Sequence, residues 1–174
     1  KREGTDPVDL VYNHLDTENS RWFFFSSACR PFGMVNLSPD TQIGGAWGSG
    51  YRYNTDTVKG FSHIHAWQLS GLSIMPVSIT DENRENIFRD FYSHFSHETE
   101  VVRPGYHKLE LDRYGIEAEL SSTKRVGFHK YTFHGEGQPA LLLNLNTLLG
   151  PCHNMDGKLE RTGEKALQGE LTNE

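Results

Sequence analysis

The sequence of 174 residues predicts an all-β fold, an antiparallel β-sandwich with little helix. Short segments with alternating or mixed apolar character recur along the chain, and clusters of Gly, Pro, Asn and Asp separate them. Several short strands joined by tight turns are typical of a sandwich. The segments with strand character are 34–37, 73–79, 107–112, 116–121, 126–132, 140–144 and 167–171.

The clearest predicted hairpin joins the segments 105–112 and 115–122. Successive side chains of a strand point to opposite faces, so the apolar residues of both segments can face one core. Glu117 and Glu119 then face solvent. The core-facing residues are Leu109, Leu111, Ile116, Ala118 and Leu120.

Helical periodicity is confined to the stretch 81–95. There Ile87, Phe88, Phe91 and Phe95 recur at three- and four-residue steps, which is the spacing of one helix face. The same stretch is also compatible with a long loop, so both readings stay open.

Length and composition fit a single domain over residues 1–174. A chain of this size buries about two thirds of the surface that its unfolded form exposes. No apolar run approaches the ~20 residues that span a bilayer. There are 17 basic and 23 acidic residues, a net charge of −6 that repels a phosphate backbone. We therefore expect neither a membrane span nor a nucleic-acid partner.

Glycines and aromatic residues are concentrated between residues 44 and 53. Trp47, Tyr51 and Tyr53 stand there beside small residues. Sugar rings stack on exposed aromatic side chains, because the C–H groups of a pyranose are apolar and an aromatic face carries partial negative charge. For Trp47 this favours ligand contact, whereas for Tyr51 and Tyr53 it favours packing in the core.

Five residues of this region are interpreted as loop-shaping. Asp40 follows Ser-Pro, which indicates a turn former or a side-chain-to-backbone hydrogen bond. Arg30 precedes a Pro-Phe-Gly turn and is expected to be a buried ion-pair partner that holds the loop. The remaining three are Gly33, Gly45 and Gly48.

Two histidines follow in the segment 60–71. On a strand, His63 and His65 would project to the same face and could bind a metal. Two ligands are not a site, and no third ligand stands at a diagnostic spacing. Histidines that form hydrogen bonds and shape a polar pocket are therefore favoured over a zinc site and over plain burial.

Several separate motifs resemble one known family. The runs 31–41, 50–53 and 60–65, followed by 95–100, 103–106 and 114–129, are similar to the amino-terminal domain of glycoside hydrolase family 92. The likeness extends from about Pro31 to Leu149 with the motifs in the same order. Members of that family are bacterial, calcium-dependent exo-α-mannosidases.

The resemblance implies a two-domain enzyme. A β-sandwich of the galactose-mutarotase-like supersandwich type rests on a larger α-helical toroid, and the active site lies at their junction. The family inverts the anomeric centre, with calcium at the mannose 2- and 3-hydroxyls and an acid and a base far enough apart to admit water.

By this resemblance, residues 1–174 are the amino-terminal domain of an α-1,2-mannosidase, without its helical catalytic domain. The implied partners are a mannose-containing glycan and that helical domain. No catalytic or metal-binding residue is assigned here, and residues 1–174 alone are expected to be inactive and to hold no calcium. The resemblance also implies export to the periplasm, the cell surface or the medium.

The residues expected to line the substrate site are Trp47, His63, His65 and Trp67. Many family members have Leu-Ser-Gly-Thr-Gly after the histidines, whereas this chain continues differently after Gly71, so the linkage preference stays open. The competing interpretation is a non-catalytic carbohydrate-binding or structural module.

Overall fold

The computed structural model describes residues 6–15, 17–18, 28–41, 50–65, 71–149 and 152–173. Within these ranges it contains one short 3-10 helix, Pro7–Leu10, and thirteen β-strands. No described helix has the length and apolar character needed to cross a membrane.

The strands are numbered in chain order. They are β1 (Ser38–Pro39), β2 (Thr57–Val58), β3 (Phe61–Ser62), β4 (Ser73–Ile79), β5 (Ser93–His94), β6 (Val101–Arg103), β7 (Tyr106–Leu111), β8 (Ile116–Ser122), β9 (Gly127–Phe133), β10 (Gln138–Asn144), β11 (Leu148–Leu149), β12 (Cys152–Gly163) and β13 (Ala166–Asn173).

Two four-stranded antiparallel sheets form the body of the fold. One has the strand order β1-β3-β4-β10 and the other β6-β7-β8-β9. Side chains of both sheets meet in one hydrophobic core. The core residues include Phe61, Met75 and Val77 of the first sheet and Leu109, Leu111, Ile116, Ala118 and Leu120 of the second.

These observations confirm the predicted all-β, antiparallel fold class. The predicted hairpin is the pair β7 and β8, and all five of its predicted core residues are buried. Glu117 and Glu119 lie on the opposite face, half-buried, where they pair with Lys108 and Lys130 of the neighbouring strands.

One expectation for local structure is wrong, and one open alternative is decided. Residues 34–37 are not a strand, because their backbone bonds to other loops: the amide of Met34 donates to the Lys124 carbonyl, and that of Asn36 to the His63 carbonyl. Of the helix and the loop left open for 81–95, the loop is observed over residues 81–92, and Ser93–His94 form strand β5. The apolar residues of this stretch do not form one buried face, since Ile87 is buried and Phe88 is 75% exposed.

We expect Leu120→Ala to lower the free energy of unfolding by about 2 to 5 kcal/mol, because it leaves a cavity between the two sheets. Leu141→Ala on β10 is the matched control, since that side chain is exposed. Urea denaturation of both variants measures the difference. Equal losses would contradict the position of the core.

Candidate functional site

Asp40 and His65 form a buried ion pair at the centre of the candidate site. Nε2 of His65 donates to Oδ1 of Asp40 at 2.7 Å, and Nδ1 donates to the backbone carbonyl of Asn36 at 2.6 Å. A carboxylate and a carbonyl only accept, so both ring nitrogens carry protons. With Asp40 ionised, His65 is therefore an imidazolium.

The environment of His65 favours this charge. Burial opposes it, but the attraction of the Asp40 carboxylate and the hydrogen bonds to Asp40 and Asn36 raise the pKa of His65 above its ordinary value. A raised pKa in the folded state means that the pair stabilises the fold in full below pH about 6.5. That contribution falls as the pH rises through the folded-state pKa.

The pairing corrects the expectation for Asp40. Its carboxylate bonds to the ring of His65 rather than to a backbone amide. The main chain of Asp40 bonds separately, since its amide donates to the Gly60 carbonyl at 2.8 Å and its carbonyl accepts from the Lys59 amide at 2.9 Å. The second carboxylate oxygen, Oδ2, is buried and has no hydrogen-bond partner among the residues that the structure describes.

Gly50 packs closely against the His65 ring of the buried pair. Its φ is +125°, and a Cβ at this position would lie 2.7 Å from Cδ2 of His65. The amide of Thr41 donates to the carbonyl of Gly50 at 2.9 Å, so the chain before residue 42 meets the chain after residue 49 at this point. The segment 66–70 begins directly after His65.

Two segments with predicted site residues are thus attached to the fold beside His65. Trp47, Gly45 and Gly48 lie in the first, 42–49, and Trp67 lies in the second, 66–70. All four are outside the described residues. Their predicted roles stay predictions.

His63 is directed to a different partner. Its Nε2 is 2.6 Å from Nε2 of His129 on β9, and Nδ1 of His129 is 2.7 Å from the hydroxyl of Tyr131. The expected shared face for His63 and His65 is wrong, because β3 ends at Ser62, before either histidine. The favoured interpretation as hydrogen-bonding histidines agrees with the contacts of both.

At neutral pH we expect this second pair of histidines to be uncharged. Burial lowers the pKa of His129 to about 4, with repulsion from His63 as the second cause. Burial, and after it the nearby His65, also lowers the pKa of His63. One proton is shared between the facing Nε2 atoms, while Nδ1 of His63, a half-buried residue, has no partner among the described residues.

The turn 30–33 is built as a loop-shaping element around Gly33. The Gly33 amide donates to the Arg30 carbonyl at 2.9 Å, and a Cβ on Gly33 would lie 2.9 Å from the same oxygen. Arg30 is exposed rather than buried, so the expected buried ion pair is wrong. Its Nε donates instead to the carbonyl of Ser122 at 3.2 Å.

A polar network that the sequence did not predict centres on the buried Glu100. It accepts from the Tyr51 hydroxyl at 3.0 Å, from Nδ1 of His97 at 2.6 Å and from Nε2 of His107 at 2.7 Å. Burial favours the neutral carboxyl, yet these donors hold the pKa of Glu100 below its ordinary value. One feature of the sequence did indicate this network. His107 lies two residues before Leu109 on the same strand and therefore faces the core with it, where a polar side chain needs a partner.

The two tyrosines of the glycine-rich region have different positions. Tyr51 is buried in the core, as predicted, with its hydroxyl on Glu100. Tyr53 is exposed, and its ring stacks on His97 at a centroid distance of 4.2 Å, so the expectation of core packing is wrong for Tyr53.

The described residues contain no group of three or more His, Cys, Asp or Glu side chains that could hold a metal ion. Where the calcium implied by the resemblance binds stays a prediction, and no chemical step is assigned to it.

Comparison with known families decides the relationship. The family model for the glycosyl hydrolase family 92 N-terminal domain matches residues 10–174. The chain belongs to this family. No protein with a curated description matches it.

Solved structures of family 92 share the fold of this domain. The family GH92 α-mannosidase BT3965 from Bacteroides thetaiotaomicron, in complex with mannoimidazole, has a TM-score of 0.80 and 24% identity over 95% of this chain. The family glycosyl hydrolase ccman5 has a TM-score of 0.73 and 22% identity over 95% of this chain. The present chain spans 23% and 24% of their respective lengths.

We expect Asp40→Asn in this family 92 domain to lower the free energy of unfolding by about 3 to 5 kcal/mol, because it leaves the His65 charge buried without its counter-ion. His65→Gln should cost a similar amount, and the double variant less than the sum of both. Asp81→Asn, which removes an exposed ion pair with Arg84, is the control and should change little. Additive losses would contradict a coupled pair.

Acid should destabilise the domain through His129. Its lowered pKa means that the contribution of His129 to the free energy of unfolding is complete above pH about 6.5. As the pH falls towards about 4, that contribution decreases by roughly 3 kcal/mol. His129→Gln removes the titration, so the gap between variant and wild type should change by that amount across this range. His134→Gln on the exposed β9–β10 turn is the control. Parallel stability curves for His129→Gln and wild type would refute a neutral His129.

Proposed function

We propose that the complete protein is an exo-acting α-mannosidase, and that this domain supplies part of the wall of its substrate site. Family membership over residues 10–174 supports glycoside hydrolysis. Mannoside as the substrate class is suggested by the α-mannosidase whose structure contains mannoimidazole.

The observation that carries the wall position is the meeting of two chain segments at His65. Gly50, which ends the segment with Trp47, touches the His65 ring, and the segment with Trp67 starts directly after it. The described residues that flank the two segments, Gly50 and His65, are therefore held together at one position. The ion pair between Asp40 and His65, in which both side chains are buried, fixes this position.

His63 is suited to bind a sugar hydroxyl next to this point. Its Nε2 is occupied by His129, and its Nδ1, in a half-buried position, has no partner in the part of the chain that the structure describes. Because the pair is neutral, Nδ1 either donates or accepts, and a hydroxyl can complement both states. A neutral imidazole also pays a smaller desolvation cost than a cation when a sugar covers it.

The chemistry of bond cleavage is assigned to residues beyond this domain. Glu100 is buried and committed to three donors, and Asp40 is held by His65, so neither is placed to act as a general acid or base. Glu98 is exposed, with no described partner for its carboxylate that would tune it for catalysis. In this proposal the hydrolysis inverts the anomeric centre and calcium is bound outside the described residues.

We expect the complete protein to release mannose from an α-1,2-linked mannobiose, and a calcium chelator to abolish the release. His63→Ala should lower kcat/KM by about 3- to 10-fold, the worth of one neutral hydrogen bond to substrate. His134→Ala, on an exposed turn, should leave kcat/KM unchanged. Mannose release is measured with an enzyme-coupled assay.

Two outcomes would count against the proposal. If the folded protein releases no mannose from any α-linked mannobiose, yet binds mannobiose in calorimetric titration, the domain belongs to a carbohydrate-binding protein. If release occurs and His63→Ala and His134→Ala behave alike, the wall position of His63 is wrong while the mannosidase activity stands.

A further inference from the structure

Phe32 has an unusual conformation and an unusual environment. Its φ is 58°, and among the described residues it is the one non-glycine residue with positive φ. Its side chain is 97% exposed. A bulky residue rarely adopts left-handed backbone conformation, because the Cβ crowds its own carbonyl.

The ring itself does not stabilise this conformation, since it packs against almost nothing. The backbone around it does. Gly33 donates to Arg30 across the turn at 2.9 Å, Met34 donates to the Lys124 carbonyl at 2.8 Å, and Nε of Arg30 donates to the Ser122 carbonyl at 3.2 Å. The turn is thus fixed to the β8–β9 connection on both sides of Phe32.

Strain that the scaffold imposes without a packing gain is typical of ligand-contacting positions. An Asn or a Gly would adopt this turn more easily, and a polar residue would suit the exposure better. The fold therefore holds an aromatic ring out into solvent at a cost in stability.

The turn lies next to the candidate site. Two residues after Met34, the Asn36 amide donates to the His63 carbonyl at 3.0 Å. Gly127, three residues after Lys124, lies against the His63 ring, where a Cβ would be 2.8 Å from Nε2. The turn with Phe32 and the ring of His63 are thus both held by the chain that joins β8 to β9.

The chain around this turn combines exposed apolar residues with hydrogen-bond donors. Met34 on the turn side and Val126 on the β8–β9 connection are exposed, and so are Arg30 and Arg125. A pyranose has an apolar C–H face and a rim of hydroxyls, so it matches an aromatic ring flanked by donors.

We propose that Phe32 is a substrate-contacting residue whose ring stacks on a sugar unit of the glycan behind the terminal mannose. This inference rests on the proposed mannosidase function. Because the ring is almost fully exposed, we expect it to meet a sugar unit outside the site of the terminal mannose rather than the terminal mannose itself. Phe32 therefore selects for longer glycans without taking part in bond cleavage.

The test uses the complete protein with Phe32→Asn, which suits the left-handed turn but removes the ring. Phe32→Trp keeps an aromatic face, and Phe88→Asn removes another exposed ring on the distant 81–92 loop as control. The measurements are kcat/KM for an α-linked mannobiose and for a longer α-mannan oligosaccharide, and the Tm of each variant.

We expect Phe32→Asn to lower kcat/KM about 3- to 10-fold for the longer substrate, the worth of one stacking contact, and to change it less than 2-fold for mannobiose. Its Tm should be unchanged or higher, because the backbone strain is relieved. Phe32→Trp should retain activity on both substrates, and Phe88→Asn should match wild type.

A lower Tm for Phe32→Asn, with equal losses on both substrates, would overturn the inference and show that the ring packs against another part of the protein. Unchanged kinetics on both substrates would overturn it as well. Absence of activity in the wild-type protein is a separate result, which defeats the mannosidase proposal itself.

Discussion

The arrangement of the candidate site depends on one buried ion pair, Asp40 with His65. Each partner belongs to a different connection of the first sheet, and each is followed within a few residues by a segment with a predicted sugar-stacking tryptophan. An ion pair in the core is stable only if geometry and additional hydrogen bonds offset the loss of hydration. The contact with Asn36 and the close approach of Gly50 provide that geometry, so the two connections cannot move independently.

The charge on His65 also acts on its neighbour. Burial is the main cause that lowers the pKa of His63, and the positive charge on His65, two residues away, lowers it further. The two histidines therefore divide their roles: the cation holds the scaffold, and the neutral ring, supported by His129, remains available to a ligand. A third network around Glu100 ties Tyr51, His97 and His107 together in the core, apart from this surface.

Much of the fold could be predicted because its sheets bury one face and leave the other to solvent. Leu109, Leu111 and Leu120 alternate with polar residues for that reason. The long strand β12 was not predicted, because both of its faces are mostly exposed and leave no alternation to read. Residue type predicted which side chains belong to the site, but not which of them pair with each other. His65 contacts Asp40, which is 25 residues away in the sequence, and His63 contacts His129, which is 66 residues away. Spacing along the sequence does not predict contacts at such separations.

The most direct test of this arrangement is the protonation state of His65. Two-dimensional NMR that correlates the ring nitrogens with the carbon-bound ring protons distinguishes an imidazolium from either neutral tautomer. At pH about 6.5 we expect both nitrogens of His65 to be protonated, and Asp40→Asn to remove that state. A neutral His65 ring in the wild-type domain at this pH would contradict the buried ion pair on which the site depends.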